Sequence, residues 1–147
     1  MKILLVALLS SLALMSCKPK APPVRVTFEN VCDKAFDARG GGPAKDVVIE
    51  GYLTLPKVAT ACSNTCLLYL TPKLGDKTRW LNAFVKTGGG PNTMDALGAT
   101  YQLSDLKVHD STGKLLDLNK KVRLTGWRAG QGGLGCGINP DILEAAE

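Results

Sequence analysis

The chain has 147 residues, 18 of them basic and 13 acidic, with one histidine, for a formal charge of +5; 45% are hydrophobic and 5% aromatic. That composition excludes a disordered polyelectrolyte, and a lone histidine argues against hydrolytic triads. The length holds one domain with a modest core and leaves no room for a second. The first element is Lys2 followed by an apolar run over 3–14, closed by Met15, Ser16 and Cys17. A spanning helix needs about 20 apolar residues, and Lys18, Pro19 and Lys20 end this run early. It predicts the hydrophobic region of a cleaved signal.

Leu14-Met15-Ser16-Cys17 resembles the lipobox of bacterial lipoprotein precursors, a likeness confined to the first 17 residues. The resemblance implies cleavage before Cys17 and acylation of that cysteine. Each buried methylene contributes about 0.8 kcal/mol, so two or three acyl chains hold a protein on a membrane permanently. Residues 1–16 are then the signal peptide, 17–24 the lipidated cysteine with a Lys/Pro-rich tether lifting the domain off the surface, and 25–147 the domain. No transmembrane helix remains after processing. The implied address is the cell membrane or outer membrane, on its periplasmic or extracellular face. Lys18 is not the aspartate that retains lipoproteins at the inner membrane, which favours the outer one. The alternative is a plain secretory signal that leaves Cys17 a free thiol.

With Cys17 acylated, Cys32, Cys62, Cys66 and Cys136 remain, an even set in an oxidising compartment. Three connectivities are open. The favoured one joins Cys62 to Cys66 across ACSNTC and Cys32 to Cys136, tying the start of the domain to its tail.

Along the domain, short β-rich segments alternate with Gly, Pro, Asn and Asp. The segment 24–28 opens the domain, and VVIEGYLTL at 47–55 is a first main strand, with Gly51 placed for a sharp bend. CLLYL at 66–70 and RWLNAFVK at 79–86 follow. NTMDALGATYQL at 92–103 predicts a short helix capped by Asn92 or Thr93. Strand-like 106–109, the turn DSTGK and 115–118 come next, and KVRLTGW at 121–127 closes the set. Five strands with a bend glycine and a helical link resemble the OB-fold over about residues 45–128. The expectation is a mainly all-β chain, a small five-stranded OB-like Greek-key barrel with one short helix and a Gly-rich C-terminal tail. A β-sandwich is the alternative.

Three motifs fail on context. Ser104-x-x-Lys107 and Lys86-Thr87-Gly88 stand in the wrong order for penicillin-binding enzymes, without S-D-N. The G-x-G-x-x-G at 130–135 lies too close to the end of the chain for a returning strand and an acidic ribose partner. Cys62 and Cys66 with His109 are soft ligands suited to copper(I), but Cys66 runs straight into LLYL, and a structural disulfide is the preferred reading. No catalytic residues and no cofactor are expected.

Alternation in RWLNAFVK puts Leu81, Ala83 and Val85 on one face and Trp80, Asn82, Phe84 and Lys86 on the other. By the same parity Val122 and Leu124 turn in, and Arg123 and Trp127 turn out. Tyr69, Arg79, Trp80, Phe84, Lys86, Arg123 and Trp127, with Lys77 nearby, form a candidate aromatic and basic face. The plainer expectation is that other segments cover Trp80 and Phe84. The functional expectation is a membrane-anchored, non-catalytic binding or structural module of the cell envelope. Single-stranded nucleic acid, another anionic or sugar polymer, or an envelope protein is the candidate partner. A copper(I) or thiol-redox protein is the second alternative.

Overall fold

The computed structural model describes residues 20–37, 45–56, 62–131 and 135–147, so the expected signal peptide and Cys17 lie outside the described residues. Six strands carry the fold: β1 (Val24–Arg25), β2 (Asp46–Thr54), β3 (Thr65–Thr71), β4 (Leu81–Lys86), β5 (Val122–Gln131) and β6 (Gly135–Ala145). Their alternation is what buries them. Val47, Ile49 and Leu53 of β2, Leu68 and Leu70 of β3, and Val122 and Leu124 of β5 point inward, each 2% exposed or less. Leu81, Ala83 and Val85 of β4 join this core, as the period-2 reading requires.

The strands close on themselves. The first half of β2 pairs antiparallel with β5, from Asp46 opposite Trp127 to Gly51 opposite Val122. Its second half pairs with β3, from Tyr52 opposite Thr71 to Thr54 opposite Tyr69. Strand β3 continues antiparallel to β4, β4 lies parallel to β6, and β6 returns antiparallel to β5. The order β2–β3–β4–β6–β5 thus comes back to β2, a mixed sheet partly closed into an OB-like, barrel-shaped ring. Strand β1 lies parallel against Val47 and Val48 of β2.

Gly51 stands where β2 changes partners. A Cβ at this position would lie 2.6 Å from the Thr71 carbonyl oxygen and 2.9 Å from Leu70 Cγ. No side chain fits, because the backbone of β3 crosses there. A second close approach lets Pro140 sit inside β6. The register slips between Thr125 and Gly126, and a Cβ on Gly126 would lie 2.1 Å from the Asn139 carbonyl oxygen. The irregularity spares the ladder the amide that proline lacks.

The structure corrects the expected elements in three places. Residues 92–103 form no helix. Met94 is fully buried and bridges Thr87 and Val108 in extended backbone, with its amide donating to the Lys86 carbonyl at 2.9 Å. Asn92, expected as a cap, has φ +57°, which starts the segment in the left-handed region instead. The only helical pieces among the described residues are three-residue 3-10 turns at Lys34–Phe36 and Leu103–Asp105. Segments 106–109 and 115–118 supply single bridges, Met94 to Val108 and His109 to Leu115, and no full strand. KVRLTGW belongs to the fourth strand of the ring, which runs on to Gln131. The supposed glycine-rich tail is the fifth, β6, the longest strand at 11 residues. Val24 and Arg25 are already in the sheet, and Lys20 Nζ lies 2.5 Å from Asp46 Oδ2.

Both cysteine pairs stand at disulfide distance, with Cα–Cα separations of 5.6 Å for Cys32–Cys136 and 4.4 Å for Cys62–Cys66. The first spans 104 positions and ties the N-terminal segment to β6; the second spans 4. Beside the long bridge, Arg128 is 8% exposed, with Nη1 2.7 Å from Asp37 Oδ2 and Nη2 donating to the Cys32 carbonyl at 3.2 Å.

Two expectations follow for stability. Gly51→Ala forces the backbones of β2 and β3 apart and lowers the unfolding free energy by about 2–3 kcal/mol, read from urea midpoints at unchanged slope. A Cys32→Ser/Cys136→Ser variant loses about 4–5 kcal/mol by loop entropy and a Cys62→Ser/Cys66→Ser variant about 2 kcal/mol. Equal losses in the two double variants would contradict the chain-entropy account.

Candidate functional site

The outward side chains of β3 and of the residues entering β4 create the most developed aromatic feature. Tyr69 alternates outward between the buried Leu68 and Leu70, opposite Thr54 on one side and Asn82 on the other. Trp80 immediately precedes β4. The two rings stack with centroids 5.1 Å apart and planes 20° from parallel. Trp80 keeps 47% of its surface exposed, so the stack covers one side of the indole and leaves the rest to solvent. Beside it is a cleft of about 170 Å³ lined by Thr54, Leu55, Tyr69, Gly75, Asp76, Lys77 and Trp80.

The loop 72–80 that carries Trp80 is held at three points. Thr71 Oγ1, at its entry, lies 3.2 Å from the Tyr52 carbonyl oxygen and 2.9 Å from that of Lys73. In the middle, Gly75 takes φ +73°, and Asp76 Oδ1 accepts from the Thr78 amide and hydroxyl, both at 2.8 Å. These bonds, the amide first, hold the Asp76 carboxyl below the usual carboxylate range. At the exit, Arg79 Nη1 donates to Glu29 Oε1 at 2.8 Å and joins the loop to the N-terminal segment. Hydrogen bonding from Thr27 is the main reason Glu29 also titrates low. The cleft therefore presents a fixed aromatic wall, an ionised carboxylate and the exposed ammonium of Lys77.

The seven candidate residues divide. Tyr69 and Trp80 come together, with Arg79 on the same loop. Phe84 is half-buried; its ring packs on Gly137 of β6, where a Cβ would lie 2.6 Å from Phe84 Cε2. The C-terminal strand thus partly covers Phe84, as the plainer expectation had it, while Trp80 stays open. Lys86 stands at the far end of β4, opposite Thr65, and is exposed. Arg123 donates from Nε to Glu50 Oε1 at 3.0 Å, and Arg25 Nη2 approaches the same oxygen at 3.3 Å. The Arg123 hydrogen bond leads the causes that lower the Glu50 pKa. Trp127 lies on β5 between Asp46 and Asn139, away from the stack. The sequence reading missed Thr54, Leu55 and Asp76 as cleft residues. The Gly75-Asp76 turn signal was present, but only the β2–β3 register shows which strand end faces it.

Cys62 and Cys66 are bonded to each other, and His109 is engaged elsewhere. Its Nε2 lies 2.8 Å from Asp95 Oδ1 and its Nδ1 3.2 Å from the Gly113 carbonyl oxygen. Among the described residues no group of three His, Cys, Asp or Glu side chains gathers for a metal. A second, larger groove of about 600 Å³ lies on the other side of Gly75, lined by Leu53, Leu74, Leu103, Leu106, Leu116 and Leu118 among others. Compared with known proteins, the chain matches no family model, and no curated protein matches it significantly.

The histidine carries a pH expectation. Both ring nitrogens face acceptors, so the cation satisfies both and the neutral ring only one. Hydrogen bonding to Asp95, then to Gly113, raises the His109 pKa above its ordinary value of about 6.5, against a smaller opposing effect of burial. A raised folded-state pKa contributes stability that is full below about 6.5 and is lost as pH climbs through the folded value. The stability advantage of the wild type over His109→Gln should shrink between about pH 6 and pH 9. A gap that widens with pH would reverse the assignment.

Proposed function

We propose that the mature chain is a lipid-anchored, non-catalytic binding module of the cell envelope, acylated at Cys17, whose OB-like ring holds a sugar polymer on the Trp80–Tyr69 platform. The observation that carries the ligand class is the stacked pair beside Asp76 and Lys77 in one cleft. An exposed indole face suits the apolar face of a sugar ring, and a neighbouring carboxylate accepts hydrogen bonds from hydroxyl groups. Asp76 held ionised disfavours phosphate at the same place. Two of the basic residues that a nucleic-acid face would need are already committed, Arg79 to Glu29 and Arg123 to Glu50. Large basic patches and steep salt dependence mark phosphate-driven binding, and this cleft offers one exposed lysine beside a carboxylate. OB-type barrels use this side, the second and third strands, for oligosaccharides as well as oligonucleotides. The lipobox carries the address.

Two measurements test the reading. Intact mass of the membrane-extracted protein should show acyl chains on residue 17. Titration of a Trp127→Phe variant, whose remaining indole is Trp80, with soluble fragments of envelope glycan should change its fluorescence nearly independently of salt. Trp80→Ala should weaken that affinity about tenfold, equivalent to about 1.4 kcal/mol. Binding of a thymidine oligonucleotide that collapses between 50 and 200 mM salt, with no response to glycan, would replace sugar with phosphate as the ligand chemistry.

A further inference from the structure

The barrel begins almost at the anchor. Lys20 already reaches the domain, its ammonium 2.5 Å from the Asp46 carboxylate, and only Lys18 and Pro19 separate it from Cys17. Three residue steps reach at most about 10 Å even fully extended. Whatever surface of the domain surrounds Lys20 is therefore kept within about one lipid headgroup layer of the bilayer.

That surface is aromatic and aliphatic. Asp46 is the cross-strand partner of Trp127, so the carboxylate that pairs with the lysine stands beside an indole that is 40% exposed. Asp141, the residue before Ile142 on β6, also acts electrostatically on Lys20. One step along the same pair of strands, Ile142 stands opposite Thr125 and is likewise 40% exposed. The carboxylates Asp46 and Glu50 are matched by Lys20, Arg25 and Arg123, and Asp141 beside Ile142 adds one exposed carboxylate to the face. Tryptophan with neighbouring aliphatic and lysine side chains is the composition that settles at a membrane–water boundary, with the indole at headgroup level and the lysine stem extended along it.

We propose that the β5–β6 face bearing Trp127 and Ile142 rests on the bilayer into which the Cys17 acyl chains insert, so that the domain lies on the membrane instead of standing off it on a stalk. This rests on the lipoprotein reading above. It gives Trp127 a role separate from the Trp80 cleft, which none of these residues lines, and leaves that cleft free for ligand.

The chain has two tryptophans, so Trp80→Phe and Trp127→Phe each leave one reporter. The membrane-extracted proteins are reconstituted into phosphatidylcholine/phosphatidylglycerol vesicles containing acyl-brominated lipid, and their intact mass is recorded. The expected result is at least a twofold loss of fluorescence for Trp127 in Trp80→Phe and an unchanged signal for Trp80 in Trp127→Phe. Iodide accessibility of Trp127 should also fall on moving from detergent to vesicles. Unquenched Trp127 in protein of acylated mass overturns the docking and leaves the lipoprotein reading intact, as does equal quenching of both indoles. Protein whose mass shows no acyl chain overturns the lipoprotein reading, and the docking goes with it.

Discussion

Everything outside the core takes its position from the change of partner in β2. One strand serves β5 over its first six residues and β3 over its last three, and the handover occurs where Gly51 lets the Thr71 backbone approach. A flat β2 would have two unpaired half-edges. The bent one pairs with both neighbours and closes the ring, and β1 covers part of the remaining edge at Val47 and Val48. The same handover sets both surfaces of interest. Thr54, past the pivot, brings Tyr69 to the cleft, while Asp46, at the other end, brings Trp127 to the tether.

The ring does not hold the N-terminal segment by itself. Strand β1 contributes two residues of pairing, too little for independent stability. Residues 26–37 are held by other means: Val26 and Val31 buried in the core, the Cys32–Cys136 bridge, and the Arg128–Asp37 pair. Burying a guanidinium is costly, and Arg128 Nε finds no hydrogen-bond partner among the described residues. Such a pair contributes little net stability against an apolar substitute, but removing one member leaves a buried charge at a cost of about 3–5 kcal/mol. Its effect is to fix where the segment lies. The segment in turn supplies Glu29 to Arg79, an ion pair that joins it to the loop carrying Trp80.

Local periodicity made β2, β3 and β4 legible within two residues at each end, and it made the inward set of β4 and β5 legible residue by residue. The cysteine count left three pairings open, and the favoured one, with Cys62 clipped to Cys66 and Cys32 tied to Cys136, is the one the fold brings together. The failures share a cause. In 92–103, Asn, Thr, Asp and the apolar spacing favour a capped helix locally, but Met94 gains more by filling the ring beside Val108, and tertiary burial overrides propensity. Strand β6 was hidden because Gly135, Gly137 and Pro140 are poor strand formers; each is used at a turn, a close contact or a register slip that only its neighbours reveal. The cleft was half legible: parity announced Trp80, yet the loop residue Asp76 and the strand end Thr54 meet it only through the fold.

The distribution of arginine bears on the proposed ligand chemistry more than the count of charges does. With 18 basic residues against 13 acidic, the chain as a whole permits an anionic partner. Site by site, however, Arg25 and Arg123 converge on Glu50, Arg79 on Glu29 and Arg128 on Asp37, so these guanidiniums serve the architecture. Arginine is the side chain best shaped for bidentate phosphate contact, and a face whose arginines are spent internally has lost its best phosphate readers. What remains at the cleft is an indole, a phenol, a carboxylate, a hydroxyl and one flexible ammonium, a set of shape and hydrogen-bonding groups that suits a polyhydroxylated ring better than a polyphosphate chain.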